Sequence, residues 1–293
     1  MGVAPSGKEL VYMPIGIHRI EEGKIAEEWG GGSGLSELRR RRLQQERIER
    51  ERVEQDLRVA HGIQQASLPK EVPTVEGWQI SPFYQPAKEV GGDFYDFHLL
   101  SEGRLGLVVG DATGKGVPAA LVMATTCGML QAVSQTLDTP FPGEVLARGN
   151  ETLVARIPPN MFVTCFYAIL DPRSGSLRYA NAGHDLPYLW RGGDADELRA
   201  TGMPLGLMLG MSYEEKEIVL DSGQGVFFYS DGLVEAHDPK GEMFGFPRLQ
   251  ALVAEHTEGS VVNYMMDELR SFTGDGWEQE DDITLVALRR SLR

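Results

Sequence analysis

The rhythm of apolar and polar positions changes three times along the chain. Val11, Met13, Ile15 and Ile17 alternate with polar residues, Glu21–Lys24 reads as a turn, and Ile25 to Trp29 returns. Residues 1–33 are therefore expected to form a short β-hairpin. The glycine-rich run from Gly30 to Gly34 then interrupts the pattern as a flexible joint would. Between Glu37 and Arg58 stand eight arginines and six acids with no proline or glycine. That composition predicts an exposed connector helix over residues 34–68, supported by Glu46–Arg50 and Glu54–Arg58 at i,i+4. Leu38, Leu43, Ile48, Val53, Leu57 and Ala60 are irregularly spaced for a heptad seam. A solvated connector and a coiled coil joining a homodimer fit this segment equally. Pro69 and Pro73 close it.

Residues 69–293 read as a third region, dominated by short strand patterns. These are Trp78–Gln85, Phe94–Leu100, Leu105–Gly110, Phe162–Leu170, Ser176–Ala180, Glu215–Leu220, Gly225–Tyr229 and Ile283–Arg289. Helical patterns occupy Val117–Ser134, with Pro118 near its start, and Pro142–Arg156, Pro247–Glu255 and Val261–Phe272. Strands arrive in groups and so do helices, which predicts a layered α+β fold instead of a doubly wound parallel sheet.

The 42% hydrophobic content supports a sizeable core. A formal charge of −15 argues against nucleic acid and anionic membrane surfaces as partners, because both are polyanions. Cys127 and Cys165 lie in apolar runs outside any CxxC pattern and read as buried thiols. The amino terminus lacks a secretory pattern, and the longest mostly apolar stretch, Gly116–Leu130, falls short of the ~20 residues of a membrane helix. A soluble, cytoplasmic protein is expected.

Four acidic motifs share one grammar, an apolar strand running into aspartate beside glycine or small residues. They are GGDFYDF (91–97), VVGDATGKG (108–116), FFYSDGLVEA (227–236) and EDDITLVAL (280–288). One such aspartate is an ordinary strand-end turn residue. Four together make a cluster whose charges would repel and whose burial is costly without a cation. Oxygen-only ligation points to Mg²⁺ or Mn²⁺ and away from zinc. GDATGKG lacks the GxxxxGK[ST] spacing of a nucleotide phosphate loop, and Lys115 is followed by Gly116. His184, in NAGHDLP, reads as a turn-stabilising residue.

The ordered set GGDFYDF, GDATGKG, NAGH, YSDGLVEA and DDITLV resembles the bacterial serine phosphatases of the RsbU and SpoIIE type, a branch of the metal-dependent type 2C protein phosphatases. The resemblance spans residues 45–290. It implies an αββα four-layer sandwich of two mostly antiparallel sheets flanked by helices. It also implies two Mn²⁺ or Mg²⁺ ions and direct attack of water on phosphorus. By this resemblance Asp111 bridges both metals beside the main-chain carbonyl of Ala112. Asp93 serves the first metal, and Asp231 and Asp281 the second, with Asp281 preferred over Asp282. Thr113 stands where the eukaryotic branch carries a histidine proposed as general acid. No counterpart to that branch's phosphate-gripping arginine is evident, and Lys88 is the candidate substitute.

The implied activity is hydrolysis of phosphoserine or phosphothreonine on a regulatory protein, such as a STAS-type anti-sigma-factor antagonist. The competing class is a catalytically silent signalling adaptor on the same fold. Residues 16–29, GIHRIEEGKIAEEW, are similar to the last hairpin of SnoaL-like domains.

Overall fold

The computed structural model describes residues 2–3, 9–13, 16–21, 24–257 and 259–292, with side chains from Arg39 onward. Two compact units result, Met1–Asp56 and Leu57–Arg293.

In the first unit four antiparallel strands, β1 (Gly2–Val3), β2 (Glu9–Met13), β3 (Gly16–Glu21) and β4 (Lys24–Gly30), pair in that order. The first arm expected of a hairpin is thus two strands, with Val11 opposite His18 and Met13 opposite Gly16. Pro14 supplies a reason in the sequence, since proline cannot donate to a strand ladder. Ile15 and the Glu22–Gly23 part of the expected turn lie outside the described residues. The joint expected at Gly30–Gly34 is replaced by the start of a helix, α1 (Gly31–Ser67). Glycine weakens a helix by about 1 kcal/mol relative to alanine, which a helix of 37 residues can absorb. Ion pairs join Arg42 to Glu46 (2.8 Å), Arg47 to Glu51 (3.3 Å) and Arg50 to Glu54 (3.1 Å). Arginine leads in each, so Glu46 reaches back to Arg42 instead of forward to Arg50.

The second unit contains two five-stranded antiparallel sheets. Its strands are β5 (Trp78–Gln85), β6 (Asp93–Leu99), β7 (Leu105–Ala112), β8 (Val163–Asp171), β9 (Ser176–Ala182), β10 (Tyr188–Trp190), β11 (Ala195–Glu197), β12 (Glu215–Val219), β13 (Gly225–Tyr229) and β14 (Ile283–Arg290). One sheet runs β11-β10-β13-β14-β5 and the other β12-β9-β8-β7-β6. The helices are α2 (Val117–Thr136), α3 (Pro142–Val154), α4 (Asp231–Val234), α5 (Phe246–Glu255) and α6 (Val261–Thr273).

The inner strands β7, β8, β13 and β14 read as nearly continuous apolar runs because both of their faces are buried. In β7, Val108 joins Met123, Leu130 and Val145 of α2 and α3, while Leu107 and Val109 face a second cluster with Phe228 and Val286 from the other sheet. In β13, Phe227 and Tyr229 pack with Leu249 of α5 and Met265 of α6, while Phe228 turns to Phe166 of the opposite sheet. Period-two alternation thus feeds three apolar layers, helix on sheet, sheet on sheet and sheet on helix. This is the αββα sandwich. Helix α2 is 20 residues with a mean hydropathy of 1.4, longer than the apolar stretch read from sequence and apolar enough to cross a membrane by length and composition. Here Ala119, Met123, Cys127 and Leu130 bury one face of it in the core. Cys127 and Cys165 are free and buried, and burial pushes both thiols above their ordinary range.

The second unit begins inside the connector helix, at Leu57. Gln64, 1% exposed, donates from Nε2 to the Gly91 carbonyl (2.6 Å) and accepts from the Gly91 amide (3.2 Å). Leu68 enters the core beside α2.

Candidate functional site

Antiparallel pairing explains how four aspartates far apart in sequence reach one end of the sandwich. Asp93 opens β6 and Asp111 is the last residue but one of β7, and the two are register partners. In the other sheet β13 leads into Asp231, the first residue of α4, while Asp281 stands two residues before β14, the antiparallel neighbour of β13. The expectation that every aspartate ends a strand therefore changes. Asp93 and Asp281 lie at strand starts, and antiparallel order brings starts and ends to the same edge.

Asp111, Asp231 and Asp281 line a cleft of about 380 Å³, together with Lys115, Asp185 and Glu235. Asp93 is 1% exposed and does not line the cleft; its Oδ2 is buried without a hydrogen-bond partner. A larger groove of about 760 Å³ lies along β5 and Arg289 and has no carboxylate among the described residues of its lining. Among the described residues, no three histidine, cysteine or acidic side chains close into a ready metal cage. Burial raises the Asp93 carboxyl well above its ordinary range, with the Asp111 charge adding and the Ser230 and Thr284 hydroxyls opposing. Burial also raises Asp111 to about 7, helped by Asp231 and Asp281, and raises Asp231 to about 6, helped by Asp281 and Glu235. These are carboxylates held short of positive charge.

Asp281 and Asp282 are used differently. Asp282 is 7% exposed and accepts from the amides of Ala87 (2.8 Å), Gly92 (2.7 Å) and Asp93 (3.4 Å), fixing the loop that presents Asp93. Asp281 faces the cleft, where its Oδ2 meets the Lys115 ammonium at 2.8 Å. Gly92 permits the close approach of β6 and β7. A Cβ there would overlap the Ala112 carbonyl oxygen and stand 2.7 Å from Asp111 Oδ1.

Thr113 is committed to structure, donating from Oγ1 to the Phe162 carbonyl at 2.6 Å and accepting from the Phe162 amide at 3.2 Å. His184 is similarly engaged. Its amide donates to Asn181 Oδ1 (2.8 Å), and the Asn181 amide group returns a bond to its carbonyl (2.9 Å). Its Nε2 lies 3.1 Å from the Tyr229 carbonyl, which requires the proton there and leaves Nδ1 to accept from Thr164 Oγ1 at 3.1 Å. Burial lowers its pKa to about 4 and keeps it neutral, a tie between the two sheets.

Lys88 is not among the residues lining the cleft, and the cation there is Lys115. Sequence reading also missed Asp185, raised to about 6 by burial and by Asp231, and Glu235. A signal for Glu235 existed. It stands four residues after Asp231, and its amide bonds to the Asp231 carbonyl at 2.8 Å across the short turn of α4.

Comparison with known proteins gives a consistent relationship. The family described as Stage II sporulation protein E (SpoIIE) matches residues 101–291, a span containing Asp111, Asp231 and Asp281. Protein IcfG of Synechocystis is 30% identical over 80% of this chain, and the match spans 42% of IcfG. Phosphoserine phosphatase RsbU of Bacillus subtilis is 29% identical over 81% of this chain and 70% of its own length. The SiaA-PP2C domain of Pseudomonas aeruginosa superposes with a TM-score of 0.72 at 23% identity, covering 83% of this chain and 98% of that domain. With a family match over more than half of its length, the chain belongs to the SpoIIE family.

Proposed function

We propose that the chain is a metal-dependent protein serine/threonine phosphatase, hydrolysing phosphoserine or phosphothreonine on a regulatory protein of the STAS-type anti-sigma-factor-antagonist class. The observation that carries this reading is the meeting of Asp111, Asp231 and Asp281 on one cleft, with Asp93 paired to Asp111 across β6 and β7. The kinship to RsbU, which is named a phosphoserine phosphatase, supports the same reading.

The residues present fit divalent cations. All donors are oxygens, Asp93 Oδ2 is buried without a partner, and the glycine at 92 leaves the Ala112 carbonyl close to Asp111. Asp93, Asp111 and the Ala112 carbonyl would hold one Mn²⁺ or Mg²⁺ ion. Asp231 and Asp281 would hold a second, with Asp111 serving both. Cations in such a site supply positive charge against the phosphoryl oxygens and make water a better nucleophile near neutral pH. The chain's own part is positional. Asp282 fixes the loop bearing Asp93, Thr113 holds the end of β7 against β8, and His184 ties β8 to β13. Self-association would run through α1, where Leu43, Ile48 and Val53 are more than half exposed.

Turnover of p-nitrophenyl phosphate and of phosphorylated STAS-domain proteins is expected with Mn²⁺ and lost with chelator. Asp111→Asn and Asp231→Asn should each lower kcat/KM about a hundredfold or more, equivalent to ~3 kcal/mol of transition-state stabilisation. Activity of either variant above about a tenth of the parent at saturating Mn²⁺ removes these residues from the site.

A further inference from the structure

Among the described residues, Lys115 is the only lysine or arginine lining the acidic cleft. Its ammonium meets Asp281 Oδ2 at 2.8 Å and the Glu280 carbonyl at 2.9 Å. The other oxygen of Asp281 is also occupied, accepting from the Asp282 amide at 2.9 Å. Both oxygens of a carboxylate that a cation would need are therefore engaged, one by a backbone amide and one by a cation on a flexible stem. An ammonium and a divalent ion on the same oxygen repel each other strongly, so one must leave when the other arrives.

The lysine is placed to be the one that leaves. Its side chain is 50% exposed and that of Asp281 33%, and ion pairs this open are weak. It is carried between Gly114 at φ +96° and Gly116 at φ +77°, and a Cβ at either glycine would meet nothing within 4 Å. Once off Asp281, the ammonium remains in a cleft whose other charged side chains are the carboxylates of Asp111, Asp185, Asp231, Glu235 and Asp281. A phosphate dianion entering there meets one positive side chain, and lysine binds phosphate as a compact point charge.

We propose that Lys115 and the divalent ion compete for Asp281, and that the ammonium displaced by the ion becomes the positioning group for the substrate's phosphate. The proposal rests on the phosphatase reading of the cleft. It involves exchange of ion pairs only, with no covalent bond made or broken.

The test pairs calorimetric titration of the full chain with Mn²⁺ alone and steady-state kinetics on p-nitrophenyl phosphate, with inorganic phosphate as competing ligand. Lys115→Met should bind Mn²⁺ about two- to fivefold tighter than the parent, because a weak competitor is gone. At saturating Mn²⁺ its KM and its inhibition constant for inorganic phosphate should rise about tenfold while kcat changes less. Lys115→Arg, which keeps the charge, should restore both constants. Unchanged or weaker Mn²⁺ binding by Lys115→Met overturns the competition, and unchanged KM and phosphate inhibition overturn the positioning role. Lys115→Gln gives the same readouts with less change of polarity if methionine disturbs the loop. A parent chain that binds no Mn²⁺ and hydrolyses no phosphate ester overturns the phosphatase reading itself, so the two failures are distinct.

Discussion

Adjacent aspartates of identical chemistry have been given opposite tasks by their surroundings. Asp282 spends both oxygens on backbone amides of residues 87–93, whereas Asp281 turns to the cleft and a half-exposed lysine. Removing Asp282 strands buried N–H groups that had a charged acceptor, at a cost of about 2–4 kcal/mol. Removing Asp281 breaks an open ion pair worth ~1 kcal/mol or less. Asp282→Ala should therefore lower the midpoint of urea unfolding far more than Asp281→Ala, while Asp281→Ala should lose turnover with nearly parental stability. Equal destabilisation by the two would mean that the division of labour is misassigned. The preference for Asp281 comes from the family resemblance, because the amides that occupy Asp282 lie about 190 residues earlier in the chain and leave no local mark in EDDITLV.

At the scale of elements, what could be read depended on length and burial. The strand patterns of β7, β8, β13 and β14 are visible because two-sided burial makes them nearly unbroken apolar runs. By contrast, β12 is mostly exposed and shows only through Ile218, Val219 and Leu220 at its end. Strands β10 and β11, with three residues each, and helix α4, with four, leave too short a pattern to register. Missing α4 hid Glu235, whose proximity to Asp231 depends on one helical turn. Lys88 is the phosphate anchor the sequence suggests because it precedes the first acidic motif. The glycines around Lys115 instead carry that lysine onto Asp281, a pairing that depends on the folded loop. Helix α1 was legible as a charged connector, although the pairing of Glu46 with Arg42 was not. Its exposed Leu43, Ile48 and Val53 make a separate expectation. If α1 joins two copies, Ile48→Glu should shift sedimentation from dimer to monomer and leave p-nitrophenyl phosphate turnover per chain unchanged. A parent that sediments as a monomer at micromolar concentration removes the dimer proposal.

For the molecule as a whole, the raised carboxyls make stability depend on pH when cations are absent. A carboxyl whose pKa is higher folded than unfolded holds its proton more tightly in the folded state. Its effect is harmless below the unfolded value near 4 and becomes a full penalty above the folded value. With Asp231 raised to about 6 and Asp111 to about 7, the chelated protein should lose stability as pH climbs from about 4 to 7. His184, lowered to about 4, acts in the opposite sense over an overlapping window, so the parent's pH curve is a sum. The difference between Asp231→Asn and the parent removes His184 from the comparison and reports Asp231 together with the part of the Asp111 shift that its charge causes. In chelator, the variant should melt about 2–4 °C above the parent at pH 7, near 1 kcal/mol for a chain of this size, and with it at pH 4. A gap that is constant across pH would refute the carboxylate repulsion. The site's construction also bears on the order of events in folding. Asp93 and Asp111 belong to one sheet, Asp231 and Asp281 flank strands of the other, and the loop that carries Asp93 is secured by Asp282 from the far end of the chain. Such distant pairings close late. A partly folded chain with either sheet formed alone holds half a set of carboxylates, so hydrolytic competence should appear only with the last docking step. Any cation then bound would act as a rivet across the sheet interface, slowing the separation that begins unfolding.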